Sequence, residues 1–147
     1  MLDWHALEPL SAEALFLMVR TAVRDTRAWV DRNARLSHVG FRSDNRIEWE
    51  SLLDVMAPHG DVCMTYKDDG RKIPFIKLYA PIKLGDDLLE YIELPSAKPV
   101  VTAEPNVVVV YQITGENRPP LIRNGYDVRE QEMHARDFIE RDKGRHE

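Results

Sequence analysis

The sequence predicts an α+β fold: a long N-terminal helix, then strand, helix and three more strands, then one further strand and a terminal helix. Three observations carry that prediction. Apolar residues recur at helical spacing over residues 12–33, alternating runs joined by short turns fill residues 60–95, and Ser, Asp or Asn stands where each helix should begin. The chain has 147 residues, 44% apolar and 31% charged, enough to bury a core as one domain over 1–147.

Each element has its own signal. Ser11 caps the first helix, and Leu15, Phe16, Val19, Ala22, Val23 and Val30 form its apolar stripe. LSHVGFRS reads as a strand, with Val39 and Phe41 on one face and His38, Gly40 and Arg42 on the other. Asp44 and Asn45 cap NRIEWESLLDVMAPHG, which Pro58 and Gly60 end. DVCMTY, KIPFIKLYAPI and LLEYIELP are three strands joined by turns at KDDG and LGDD, with Pro74 marking an edge or a bulge in the middle one. SAKPVVTAEPN reads as a loop, VVVVYQIT as a strand, and ENRPPLIRNGY as a loop again. Asp127 and Glu130 form a capping box for a charged terminal helix over VREQEMHARDFIERDKG.

Composition excludes several function classes. Net charge is −5 with acids and bases interleaved, which gives no broad reason to expect a nucleic-acid or anionic-membrane partner. The N-terminal stretch begins with no basic segment, and Glu13 and Arg20 break its apolar part, so it reads as neither signal peptide nor membrane span, and a cytoplasmic address is expected. One cysteine, Cys63, has no partner for an intrachain disulfide or a zinc set and reads as a buried inert thiol. No phosphate-binding glycine loop or nucleophile elbow occurs, so no nucleotide cofactor is expected.

The chemistry-bearing residues converge by alternation. In LLEYIELP, Leu89, Tyr91 and Glu93 share one face, so His38, Arg42, Tyr91 and Glu93 meet on the open side of the sheet. Imidazole and carboxylate together suit a divalent Fe, Mn, Ni or Zn ion, while Arg42 suits a bidentate contact with a substrate carboxylate. Lys77 and Tyr79, and the hydroxyl of Tyr91, are further candidates for orienting an oxygen-rich anion. Each residue also has a plain reading: His38 as a satisfied core histidine, Glu93 as the ion-pair partner of Arg42, the tyrosines as packing groups, and Lys77 as a solvated strand residue. His134 sits four residues after Glu130 and reads as a local ion pair.

The element order and the phrases SHVGFRS, GRKIPFIKLYAPI and YIELPSAKP resemble one βαβββ module of the vicinal oxygen chelate superfamily, the glyoxalase and dioxygenase fold, in its YecM-like branch. The resemblance covers residues 12–99, with the module itself at 36–95. It implies that two modules pair into a cupped sheet holding a divalent metal and that His38 and Glu93 stand at the metal-ligand positions; isomerase, epimerase or oxygenase chemistry on a small anionic substrate is then expected, with Glu93 and Tyr91 as the candidate catalytic residues. The second half departs from the pattern: residues 96–147 offer a strand without histidine and a helix, a degenerate module. A homodimer is therefore expected to complete the ligand set. The alternatives are a non-catalytic small-ligand or protein-interaction module that keeps the cupped sheet, and an accessory subunit whose open edge pairs with another protein.

Overall fold

A computed structural model describes residues 3–68, 70–98 and 104–145. A short 3-10 turn at Trp4–Ala6 leads to α1 (Ala12–Thr26), followed by β1 (Arg35–Phe41), α2 (Arg46–Met56), β2 (Gly60–Asp68), β3 (Arg71–Leu84), β4 (Asp87–Glu93), β5 (Val107–Gln112), β6 (Leu121–Arg123), β7 (Tyr126–Gln131) and α3 (Ala135–Arg145). The expected strand, helix and three strands over residues 36–95 are present. The seven strands form one sheet in the order β2-β3-β4-β1-β5-β7-β6. Asp69 of the KDDG turn and residues 99–103 of the SAKPVVTAEPN loop lie outside the described residues.

Both faces of the sheet are covered. Leu15, Val19 and Val23 of α1 and Leu52 and Met56 of α2 pack on Val39, Phe41, Ile92, Val109 and Val128. A smaller cluster on the other face joins Ala135 and Ile139 of α3 to Met64, Phe75 and Tyr91. No described helix is long and apolar enough to cross a membrane.

One irregularity decides how β1 presents its side chains. Leu36 pairs with Tyr111 and His38 with Val110, so Ser37 is an extra residue in the ladder. Such a bulge turns two neighbouring side chains to one side. Leu36 therefore joins the α1 core, while Ser37 and His38 both face α3.

Five expectations need correction. The N-terminal helix ends at Thr26, well short of residue 33, and passes through a 3-10 turn at Arg27–Trp29. The Asp31 carboxylate accepts from Asn33 N–H and its carbonyl from Ala34 N–H, and this local turn swings the chain into β1. Asp127 and Glu130 cap no helix; they lie in β7, parallel to β5, with β6 beyond it. Alternation explains this: Tyr126 and Val128 enter the α1 core, while Asp127 and Arg129 point to the other face, so a charged run is half buried. Leu89 does not share the face of Tyr91 and Glu93, because the β3–β4 register shifts between Lys77 and Ile82. Pro74 lies in an interior strand between β2 and β4, and the irregularity near it falls at Cys63, between Val62 and Met64 of β2. Cys63 itself is only half-buried, its Sγ donating to the Phe75 carbonyl.

The second half thus supplies three strands, where the sequence reading allowed one. β4 and β5 of the same chain occupy both edges of β1.

Candidate functional site

Neighbouring strands carry same-face residues in rows across the sheet. Glu93, Gly40, Val108 and Asp127 are in register, as are His38, Val110 and Arg129 one pleat away. Over these rows the α3 face of the sheet holds a cavity of about 360 Å³, whose lining includes His38, Arg42, Tyr66, Arg71, Phe75, Glu93, Lys98, Val108, Val110, Arg129 and Phe138. Cavities of this size hold small metabolites.

His38 and Glu93 are adjacent, as the sequence predicts. His38 Nε2 donates toward Glu93 Oε2 at 3.3 Å, and the Tyr66 hydroxyl donates to the same oxygen at 3.3 Å. Glu93 Oε1 hydrogen-bonds to none of the described residues. It faces Gly40, where a Cβ would stand 3.7 Å from it. Burial pushes the Glu93 carboxyl up, but the His38 and Tyr66 hydrogen bonds and the Arg129 charge outweigh it and hold the group below the usual carboxylate value. Burial, followed by the Glu93 charge, raises the Tyr66 phenol, which keeps its proton at neutral pH.

Behind His38, Ser37 Oγ accepts the Ala135 N–H at 2.8 Å and lies 2.9 Å from His38 Nδ1. With its acceptor side used by Ala135, the hydroxyl proton is satisfied by pointing at Nδ1, which places the His38 proton on Nε2. Serine, histidine and glutamate in line resemble a nucleophilic triad. Ser37 is 1% exposed beneath α3 and does not line this cavity, so it orients His38 and is not placed to attack a ligand there.

The cationic wall lies across β1 and β5. Arg42 Nη2 donates to Asp127 Oδ2 at 2.8 Å, and Arg42 Nε is 3.5 Å from Glu104 Oε2. Arg129 shares Asp127 through bonds of 3.3 and 3.4 Å, and Lys98 Nζ donates to Glu104 at 2.9 Å. Three cations therefore divide two carboxylates. Arg71 has Asp68 at 3.8 Å, too long for a hydrogen bond. Arg42 pairs with Asp127 and not with Glu93.

Other candidates stand apart from this site. Tyr91 is buried under α3 in the apolar cluster and does not line the cavity. Tyr79 is 62% exposed with its hydroxyl on Asp61, and Lys77 is exposed outside the cavity. His134 makes no pair with Glu130, which binds Arg118 instead. Its Nε2–H donates to the Leu36 carbonyl at 3.0 Å and its Nδ1 accepts the Arg136 N–H at 3.0 Å, which makes it a neutral residue fastening α3 to β1. Tyr66, Arg71, Lys98, Ser37 and Arg129 were not singled out from sequence. Alternation along DVCMTY could have found Tyr66, whereas Arg129 was hidden by the helical reading of VREQ.

The donor set at His38 and Glu93 does not fit a divalent ion. Catalytic zinc sites usually keep three protein ligands. Here two donors are present; the cross-strand neighbours of His38 and Gly40 are Val110 and Val108, and the next side chain, Arg129, is cationic. The three-donor group among the described residues is elsewhere, where His5, Asp44 and Glu48 hold ligand atoms within 4.8 Å of one another. There the Glu48 carboxylate accepts the Asp44 N–H, Asn45 accepts the Glu48 N–H, and the His5 ring bridges Glu48 and Asp3 at 2.8 Å each. This is a helix cap that clasps the N-terminal segment, whose Trp4 indole also donates to the Arg42 carbonyl.

No family model and no curated protein matches the chain. A solved structure described as "Structural Genomics, Protein EC4020" aligns with a TM-score of 0.71 over 96% of this chain and 97% of that chain, at 11% identity. At that identity the likeness speaks for the α+β fold alone.

Proposed function

We propose that this chain is a one-chain variant of the vicinal oxygen chelate architecture and that it binds a small, oxygen-rich anion in the α3-side cavity without a resident metal. Support for the architecture is the βαβββ order over β1 to β4 with β1 parallel to β4, continued across the antiparallel β1–β5 pair into β7, parallel to β5. The observation that carries the ligand class is the charge count at one wall: Arg42, Lys98 and Arg129 share Asp127 and Glu104. One positive charge is left over beside a concave, partly enclosed space, and a carboxylate or similar group of a ligand completes it.

The metal-dependent isomerase, epimerase or oxygenase reading rests on His38 and Glu93, with which no third His, Cys, Asp or Glu among the described residues forms a ligand group. Calorimetric titration with short carboxylates and with inorganic phosphate tests the anion reading. We expect saturable binding, weakened about tenfold or more by Arg129→Ala, the scale of one lost charge-assisted contact. Equilibrium dialysis against Zn²⁺ and Mn²⁺ is run in parallel. A bound equivalent that His38→Ala removes would return the chain to the metal-dependent class, and an anion affinity indifferent to Arg129→Ala would refute the site.

A further inference from the structure

The wall opposite the cations asks for something else. Glu93 is a carboxylate held largely out of water, and its two visible donors, His38 and Tyr66, both use Oε2 at the long distance of 3.3 Å. Oε1 lies beside Gly40, where an added Cβ would come into ordinary contact at 3.7 Å, and Glu93 itself lines the cavity. The Glu93 side chain is 16% exposed and lines the cavity, so a donor on a ligand can reach the oxygen that His38 and Tyr66 leave unused.

The surroundings of Glu93 are aromatic. Tyr66 and Phe75 stack with centroids 5.8 Å apart, Phe138 meets Tyr66 edge-on at 5.3 Å, and His38 meets Phe75 edge-on at 5.0 Å. Ring faces beside a carboxylate favour a cationic group, through the ring quadrupole as well as through the charge. Across the floor, β4 and β7 are three strand spacings apart, on the order of 14 Å between backbones at about 4.8 Å per spacing. Between them lies the cavity of about 360 Å³, floored by Val108 and Val110.

We infer that the ligand is a zwitterion of amino-acid type, its ammonium on Glu93 Oε1 among Tyr66, Phe75 and Phe138, and its carboxylate on Arg129 and the neighbouring cations. This rests on the anion-binding reading and adds the second, cationic end. A hydroxyl at the same place brings one donor and no charge. An ammonium brings three donors and the charge that the carboxylate lacks.

Two matched series test it by calorimetry: L-alanine, L-lactate and propionate, and L-phenylalanine, L-phenyllactate and 3-phenylpropanoate. Within each series only the α-substituent changes. The amino acid of at least one series should bind about tenfold or more tighter than both partners, the scale of a charge-assisted hydrogen bond. Glu93→Gln keeps the shape and should bring the three members to within about twofold, leaving the unsubstituted acid unchanged. Should that variant unfold, Gly40→Val sets methyl groups beside Oε1 and should likewise lose the preference. Equal binding of all members by the native protein overturns the zwitterion inference and leaves the anion site standing. A preference that survives both substitutions overturns it as well. If none of the six binds, both readings fall.

Discussion

On its β4 side, β1 meets Ile92 and Glu93; on its β5 side it meets Val110 and Val108 on the concave face, with Asp127 and Arg129 one strand further out. Both flanks run a parallel partner beside a first strand, β4 beside β1 and β7 beside β5. What differs is the chemistry that each places on the shared concave face. The first flank offers a half-buried acid and its histidine. The second offers an acid too, but Asp127 is consumed by Arg42 and Arg129, so the face it presents is cationic. The pairing of unlike flanks produces a bipolar cavity from a plan that, with like flanks, would concentrate metal donors.

The largest test of this contrast is at Asp127. It is 1% exposed, and its Arg42 partner is mostly buried, so removing the carboxylate takes from that guanidinium its nearest anion and leaves it Glu104 at 3.5 Å and the Pro105 carbonyl. Asp127→Ala should lower unfolding free energy by about 3–5 kcal/mol in urea denaturation. A loss below about 1 kcal/mol, the scale of a surface pair, would mean that the second flank is not organised around Asp127.

The contrast can also be erased. Val110 stands directly across from His38, so Val110→His makes the two flanks alike in donor type and brings the set with Glu93 to three. We expect the variant to lose about 1–3 kcal/mol without metal, since a polar ring replaces a buried valine, and to gain one equivalent of Zn²⁺ in dialysis. Reverting the gain with His38→Ala would show that the ion sits in the cavity. No uptake at all would mean that β1 and β5 do not place these positions side by side.

How much of this was legible in the sequence follows the same divide. The first flank obeys local rules: Ser11 and Asn45 cap their helices as expected, accepting from Ala14 and Glu48, and alternation puts His38, Arg42 and Glu93 on one face. The second flank hides its signals. Tyr126-Asp127-Val128-Arg129 alternates properly, but charges on the concave face look like a solvated helix until the buried partner Arg42, far away in sequence, is known. The Ser37 bulge was equally unreadable, because it depends on the register of β1 against β5.

That bulge gives the next prediction. Ser37 Oγ caps the first turn of α3 through Ala135 and fixes the His38 ring, so it ties the lid of the cavity to its floor. Ser37→Ala should cost about 1–2 kcal/mol, the range of a lost cap, and should speed amide exchange in the first turn of α3 more than in α1. Uniform exchange changes in both helices would mean that Ser37 merely fills space.

The smallest effect separates two histidines of opposite sign. Burial lowers His134, outweighing its bond to the Leu36 carbonyl. Its stabilising contribution is therefore complete above the ordinary value of 6.5 and is lost as pH falls below it, where the unfolded chain takes up a proton that the folded one resists. For His5, burial acts downward, but the Glu48 and Asp3 carboxylates outweigh it and raise the ring. Its contribution is complete below 6.5 and is lost as pH rises through the raised folded value. Stability measured from pH 5 to 8 should climb toward the ordinary histidine value and then decline. His134→Gln should flatten the acid side and leave the decline, and His5→Gln should do the reverse. Because His134 fastens α3 to β1 while His5 clasps the N-terminal segment to α2, the acid limb should also appear as faster exchange in α3, and the alkaline limb as faster exchange around Trp4. Both limbs moving with a single substitution would show that lid and clasp are one cooperative unit.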